Sequence, residues 1–429
     1  MNLLRENISY RENDAFWGHH DVFCTCSSAF SSLAENSCQS VIIGSESSLN
    51  VLDYGAIGDG ITDDSRAFLS AWKDACSWSG DTRLLFTIPQ NYNFLLYPIT
   101  FRGPCNSQNV HFLIMGTIVA PKSPSIWAER DESQWIAFQD VIGLQVYGPG
   151  KIDGNGKAWW DQSCRDHPNL EGCKDLAPTA LKLISCNGGS LSNMKFTNSP
   201  QSHVLLLGCN GFRVDNLKIE SPRDSPNTDG IHIHSSHHIT ITNSNISSGD
   251  DCVSIGDYTS DVFINNVACG PGHGISIGSL GKSGNFVQVE NIHVSNAFLY
   301  GTTNGARIKT WQVGRGYVKD VIFENLFMNS VDNPIIIDQF YCDSRESCQE
   351  TMGSGGVEIS GVVFRNIYGT SSTDVTVNLN CSRSTPCTDI TLQFVQLGSA
   401  SPGSLVSAHC DNAYGQEFVV VPGPCLLDS

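Results

Sequence analysis

Cationic residues are scarce in this chain: 25 Lys and Arg stand against 43 Asp and Glu, giving a net charge of −18 and a pI near 4.9. That balance excludes the broad basic surface with which proteins meet nucleic acid, so no nucleic-acid partner is expected. Methionine is scarce as well, five residues against forty glycines, which points to a turn-rich β protein. No stretch approaches the roughly 18 consecutive apolar residues of a membrane helix, so a soluble chain with no membrane partner is expected. The N-terminus also lacks an apolar core of about 7–15 residues. Met1 to Phe23 instead carries Arg5, Glu6, Arg11, Glu12 and Asp14. No clear signal peptide is read there: either the signal is missing from this sequence or export takes another route.

Cysteine, by contrast, is abundant at seventeen residues. The short pairs Cys342 with Cys348, Cys381 with Cys387, and Cys410 with Cys425 lack the CxxC…CxxC or histidine spacing of a zinc site. Disulfides formed in an oxidising compartment are the expected reading, and no metal is expected. An odd count leaves at least one thiol free, and the Cys24, Cys26, Cys38 cluster is its expected place. Buried free cysteines are the alternative.

One helix stands out. Thr62 is placed to cap it, Asp63 and Asp64 suit its positive end, and Ala67, Phe68, Ala71, Trp72 and Ala75 share one face. A short amphipathic helix followed by strands reads as a cap on an elongated core.

Beyond residue 110 the chain becomes short β-type runs separated by Gly, Asn, Ser and Asp. Six of them begin at Val204, Ile231, Val253, Ile275, Ala306 and Ile335, in steps of 27, 22, 22, 31 and 29. A second series begins at Ile239, Val262, Ile292, Val321 and Val362, each followed within a few residues by Asn243, Asn265, Asn296, Asn325 or Asn366. Repeats of this length with such short strands fit a parallel β-helix, in which each coil stacks about 4.8 Å above the last. The corner asparagines suit either side-chain ladders or simple turn preference. The expected architecture is all-β: a single-stranded parallel β-helix over residues 49–429 with a short N-terminal capping helix. Residues 1–48, rich in Ser and Asn, are expected to be a poorly ordered lead-in.

A stacked solenoid turns spacing into geometry. Asp229, Asp251 and His273 are separated by 22 and 22 residues, the step of the strands beside them. They should form a column with neighbours roughly 5 Å apart. Asp250 joins the same cleft only if the chain bends at Gly249, which glycine's freedom permits. Like charges that close raise at least one pKa, leaving one carboxyl to donate a proton while its partners activate water. A turn preference of Asp beside Gly is the alternative for any one of them, and a calcium site for the cluster, though His273 and Arg307 disfavour the latter. Arg307 and Lys309 sit two apart in one strand run, facing the same way. They are either a solvated pair or a grip for a carboxylate-bearing sugar. Tyr341 suits either stacking on a sugar ring or packing.

The segments SPNTDGIH from Ser225, GDDCVSIG from Gly249, CGPGHGISIGSLG from Cys269 and RIKTW from Arg307 resemble the polygalacturonases of glycoside hydrolase family 28. The similarity runs from about Val51 to the C-terminus, and NPIIIDQFYC from Asn333 is most similar to the plant branch. The resemblance implies a right-handed β-helix that hydrolyses the α-1,4 bonds of homogalacturonan with inversion, without a cofactor. It implies that Asp250 is the general acid, that Asp229 and Asp251 activate water, and that His273 supports the acid. Asn227 would contact sugar, Arg307, Lys309 and Tyr341 would bind galacturonate, and Cys252 would pair with Cys269. A monomer secreted to the cell wall, with pectic polysaccharide as its partner, is the accompanying expectation. The segment TTNGARIKTWQVG from Thr302 resembles endo-acting members. Exo action, a non-catalytic pectin-binding or allergen-like member of the fold, and a calcium-dependent lyase are the rival readings.

Overall fold

The computed structural model describes residues 47–80, 83–342 and 356–428. They form a right-handed parallel β-helix. Among the described residues, one sheet of 11 strands runs from Ile99–Arg102 to Ser407–Asp411, and every adjacent pair in it is parallel. The triplets read from the sequence are in register: Val204 pairs with Ile231, Ile231 with Val253, Val253 with Ile275, Ile275 with Ala306, and Ala306 with Ile335. The second series stacks likewise, Ile239 on Val262 on Ile292 on Val321 on Val362, in a larger sheet of 19 strands.

Alternation decides what each triplet does. Its first and third residues, such as Ile231 and Ile233 or Val253 and Ile255, are buried in the central core. Each fully buried aliphatic side chain contributes roughly 1.5–3 kcal/mol. The middle residues His232, Ser254, Ser276 and Arg307 stack on the opposite, outer face.

Corners are set by asparagine. Asn193, Asn216, Asn243, Asn266, Asn296, Asn325 and Asn366 all adopt left-handed backbone, with φ of 52–59°. Their amides also bond from coil to coil: Asn266 Nδ2 donates to Asn243 Oδ1 (2.7 Å), Asn325 to Asn296 (3.2 Å) and Asn366 to Asn325 (3.0 Å). Ladder and turn preference therefore act together. The corner residue is Asn266, not its neighbour Asn265, whose amide donates to Ser295.

The helix spans Ser65–Ser77 and buries Phe68 and Trp72 against the aromatic residues of the first coils. Trp72 lies 5.3 Å from Phe101 and 5.6 Å from Phe138 between ring centres. Its start differs from the sequence reading. Thr62 does not cap it, because its hydroxyl donates to Asp59, and Asp64 stands at the cap position with its carboxylate turned to the amides of Ile57 and Gly58. Asp63 accepts from the Ser65 amide and hydroxyl instead. Carboxylates make the stronger, charge-assisted bonds and displace a hydroxyl from the role.

Disulfides join Cys381 to Cys387 and Cys410 to Cys425, as their spacing suggests, and Cys252 to Cys269. Cys342 is also disulfide-bonded, while Cys348 lies outside the described residues. Cys76–Cys105 and Cys164–Cys173 are further pairs that spacing alone did not suggest. Among the described residues the free thiols are the buried Cys186 and Cys209; Cys24, Cys26 and Cys38 lie outside them, as does the lead-in up to residue 46.

The corners supply a test. Asn325→Ala keeps a side chain with no bond to offer at a left-handed φ and should lose about 1–2 kcal/mol. Asn325→Gly relieves the backbone and should lose less than half of that. Thermal melting of the two variants measures the difference; equal losses would assign the stability to the ladder alone.

Candidate active site

The outer face of the 11-stranded sheet carries the site. Asp229, Asp250, Asp251 and His273 lie just ahead of three consecutive strands, Ile231–His234, Val253–Ile255 and Ile275–Leu280. Asp250 and Asp251 do face one cleft, through a bend at Gly249. The reason differs from the conformational freedom expected of glycine. Gly249 is not in the left-handed region, but a Cβ there would lie 2.0 Å from the Ser225 carbonyl. Close approach of two coils, not an unusual φ, requires glycine.

Each carboxylate has its own surroundings. Asp250 Oδ1 accepts from His273 Nδ1 (2.9 Å) and from the Asp251 amide (2.9 Å). Asp250 Oδ2 accepts from Arg165 Nη1 at 2.6 Å. Asp251 is gripped from both sides: Oδ1 accepts from Arg307 Nη2 (2.6 Å) and Ser276 (2.7 Å), and Oδ2 from Lys309 Nζ (3.0 Å). Arg307 Nε also donates to the Ser276 hydroxyl. Among the described residues no cation is bound to Asp229; its Oδ2 accepts from Ser254 (2.6 Å), which in turn bonds His232 Nδ1 (2.7 Å).

These contacts separate the protonation of the three groups. Burial would raise Asp250, but the His273 hydrogen bond and the charges of His273, Arg165 and Lys309 outweigh it and hold it well below the usual carboxylate range. For Asp251 burial is again the largest influence, and Arg307 with Lys309 overcome it and lower the carboxyl. Burial raises Asp229 well above that range, and the charges of Asp250 and Asp251 add to it. Burial and the neighbouring His234 push His232 down to about 4, leaving it neutral beside Ser254.

The structure thus brings together Asp229, Asp250, Asp251, His273, Arg307 and Lys309. His273 pairs with Asp250, although its sequence register is with Asp251. Arg307 and Lys309 are not a freestanding clamp: both are ion-paired to Asp251. Tyr341 packs edge-on against Trp311 (5.6 Å), and Lys309 Nζ lies 5.4 Å from its ring centre. Asn227, with left-handed φ, accepts a hydrogen bond from Arg165. Donor atoms of Asp250, Asp251 and His273 fall within 4.8 Å of one another. Three cations already compensate those two carboxylates, a setting that does not fit a further dication.

Four functional neighbours escaped the sequence reading. Ser254, Ser276 and His232 had a signal, since each is the polar middle residue of a triplet in the Arg307 row. Arg165 had none. It follows Cys164 in a segment closed by the Cys164–Cys173 bond, 85 positions from Asp250.

Comparison with known proteins agrees with this geometry. The family model for glycosyl hydrolases family 28 matches residues 78–417. The chain is 44% identical to the polygalacturonase QRT2 of Arabidopsis thaliana over 365 residues, covering 85% of this chain and 81% of that protein. It is 45% identical to a polygalacturonase of Persea americana over 342 residues, 80% and 72% of the two chains. Among solved structures, the endo-xylogalacturonan hydrolase from Aspergillus tubingensis superimposes with a TM-score of 0.72 at 24% identity, covering 88% of this chain and 99% of that one, a likeness of fold. With the model match spanning the coils that gather the three aspartates, the chain belongs to glycosyl hydrolases family 28.

Proposed function

We propose that this protein hydrolyses the α-1,4-galacturonosyl bonds of homogalacturonan with inversion, as an endo-acting, secreted monomer of the plant cell wall. The observation that carries the reading is the set of three carboxylates with unequal hydrogen-bond and ion-pair partners on the outer face of one sheet, ringed by Arg165, Arg307 and Lys309. Two carboxyls of opposite protonation across a glycosidic bond are the minimum for inverting hydrolysis. Local cations answer the difficulty of an acidic protein holding an acidic polymer. The disulfides support an oxidising destination, and among the described residues no helix is long and apolar enough to cross a membrane.

In the working complex Asp250 donates its proton to the leaving oxygen, held in orientation by His273, while Asp229 and Asp251 orient and deprotonate the attacking water. Asn227 and Tyr341 border the sugar. A second reading has support from one observation: in the free site Asp229, not Asp250, holds a proton more readily. On that reading the acid and base exchange places.

The two are separable by leaving group. Asp250→Asn should lower reducing-end release from polygalacturonate by at least 10²-fold, as loss of a general acid does. It should retain hydrolysis of an oligogalacturonosyl fluoride, whose departure needs little protonation, while Asp229→Asn loses both. The reverse pattern would make Asp229 the acid. Arg307→Ala should weaken turnover of polygalacturonate far more than of its fully methyl-esterified form; an equal loss on both would show that Arg307 serves only Asp251. Incubation with polygalacturonate, with and without chelator, followed by product sizing, tests the reaction class. Long fragments with saturated ends and no chelator effect are expected, whereas unsaturated ends would indicate a lyase and monomer alone would indicate exo action.

A further inference from the structure

The resting site contains a contradiction, and its geometry shows how it is resolved. A general acid must carry its proton on one carboxyl oxygen and deliver it to the leaving group. On Asp250, Oδ1 is already filled by His273 Nδ1 and the Asp251 amide. Oδ2 is the oxygen left to bear a proton, and Arg165 Nη1 already donates to it at 2.6 Å. A guanidinium has no acceptor to offer and its charge favours the ionised carboxylate, so while Arg165 sits there Asp250 is held in its unprotonated form.

Of the three cations in the cluster, Arg165 is the one free to leave. Its side chain is 39% exposed, against 12% for Arg307 and 9% for Lys309. Arg307 and Lys309 project from the strand Asn304–Thr310, which is hydrogen-bonded on both sides. Arg165 stands outside the strands, in the segment between Cys164 and Cys173, and its second partner is Asn227. The same guanidinium thus spans Asp250 and a residue assigned above to the sugar.

We propose that Arg165 is a substrate-displaced latch on Asp250: a galacturonate carboxylate draws its guanidinium off Oδ2 and leaves that oxygen free to carry the proton given to the leaving group. The inference rests on the hydrolase reading above. The proton that Oδ2 gains is supplied by Asp229, the adjacent carboxyl whose proton affinity burial raises, so only O–H bonds are exchanged. The move sets both groups in their working forms at once, Asp250 as donor and Asp229 as base. An esterified residue offers no carboxylate to Arg165 and leaves the latch closed, so Arg165 also acts as a positioning residue that selects free galacturonate.

The test uses the pH dependence of the full-length protein on polygalacturonate. The basic limb of kcat/KM reports the free enzyme, and that of kcat reports the complex. The groups facing Asp250 are His273, Arg165, Lys309, Arg307, Asp229 and Asp251, with Tyr341 close to the arginines. Removing one adjacent positive charge raises a carboxyl's affinity for its proton by roughly one pKa unit or more. Arg165→Gln should therefore move the basic limb of kcat/KM upward by about one unit. The limb of kcat should move by less than half as much, because in the complex Arg165 has already gone to the substrate. Arg165→Lys should restore the wild-type limb. Equal movement of both limbs would mean that Arg165 stays on Asp250 throughout, and no movement of either would mean that it does not govern the cluster; both overturn the latch. Absence of any reducing-end release by the wild-type protein would overturn the hydrolase reading itself, which distinguishes the two failures.

Discussion

Every feature of this molecule depends on the phase of its coils. A parallel ladder of backbone hydrogen bonds holds one coil on the next only when each returns its chain to the same register. Because side chains alternate, a slip of one residue would exchange the row Ile231, Val253, Ile275, Ala306 with the row His232, Ser254, Ser276, Arg307. The core would turn polar and the site apolar in a single step. Differences in coil length are absorbed in the connections, while left-handed asparagines hold one corner of coil after coil in place. The gathering of Asp229, Asp250, Asp251 and His273 is thus a by-product of the constraint that builds the core.

Register brings the carboxylates together; their neighbours make them unequal. Among the described residues, Asp251 has a cation on each oxygen, Asp250 has a histidine and an arginine, and the Asp229 carboxylate has a serine. Among carboxylates this close, these differences set the order of proton affinity. A protein of net charge −18 nevertheless concentrates three of its 25 Lys and Arg residues here. Two are fixed in or beside strands and serve Asp251. The third stands on a disulfide-closed segment outside the coils and reaches the one Asp250 oxygen left open.

Much of this was legible in the sequence, because a solenoid writes its geometry as a period. The triplets at 204, 231, 253, 275, 306 and 335 pair in the expected order, and the 22-residue step placed Asp229 beside Asp251 correctly. What the period did not encode was read less well. The corner at Asn265 and Asn266 could not be resolved, since neighbouring asparagines look alike until the ladder bond chooses one. Thr62 lost its capping role to the neighbouring Asp63 carboxylate, which accepts from the Ser65 amide. The free thiols turned out to include Cys186 and Cys209, small apolar side chains in the core rows, which composition cannot distinguish from disulfide partners. Arg165 was invisible because its approach to Asp250 is made by an excursion outside the repeat.

The central claim is that stacking forces three carboxylates into one site and that their partners give Asp229 a higher proton affinity than Asp250 or Asp251. Isotope-edited infrared titration of aspartate carboxyls in the free protein tests it most directly. A protonated-carboxyl band should persist well above the usual aspartate range in the wild type and in Asp250→Asn, and disappear in Asp229→Asn. Persistence of that band in Asp229→Asn, with its loss in Asp250→Asn, would contradict the account.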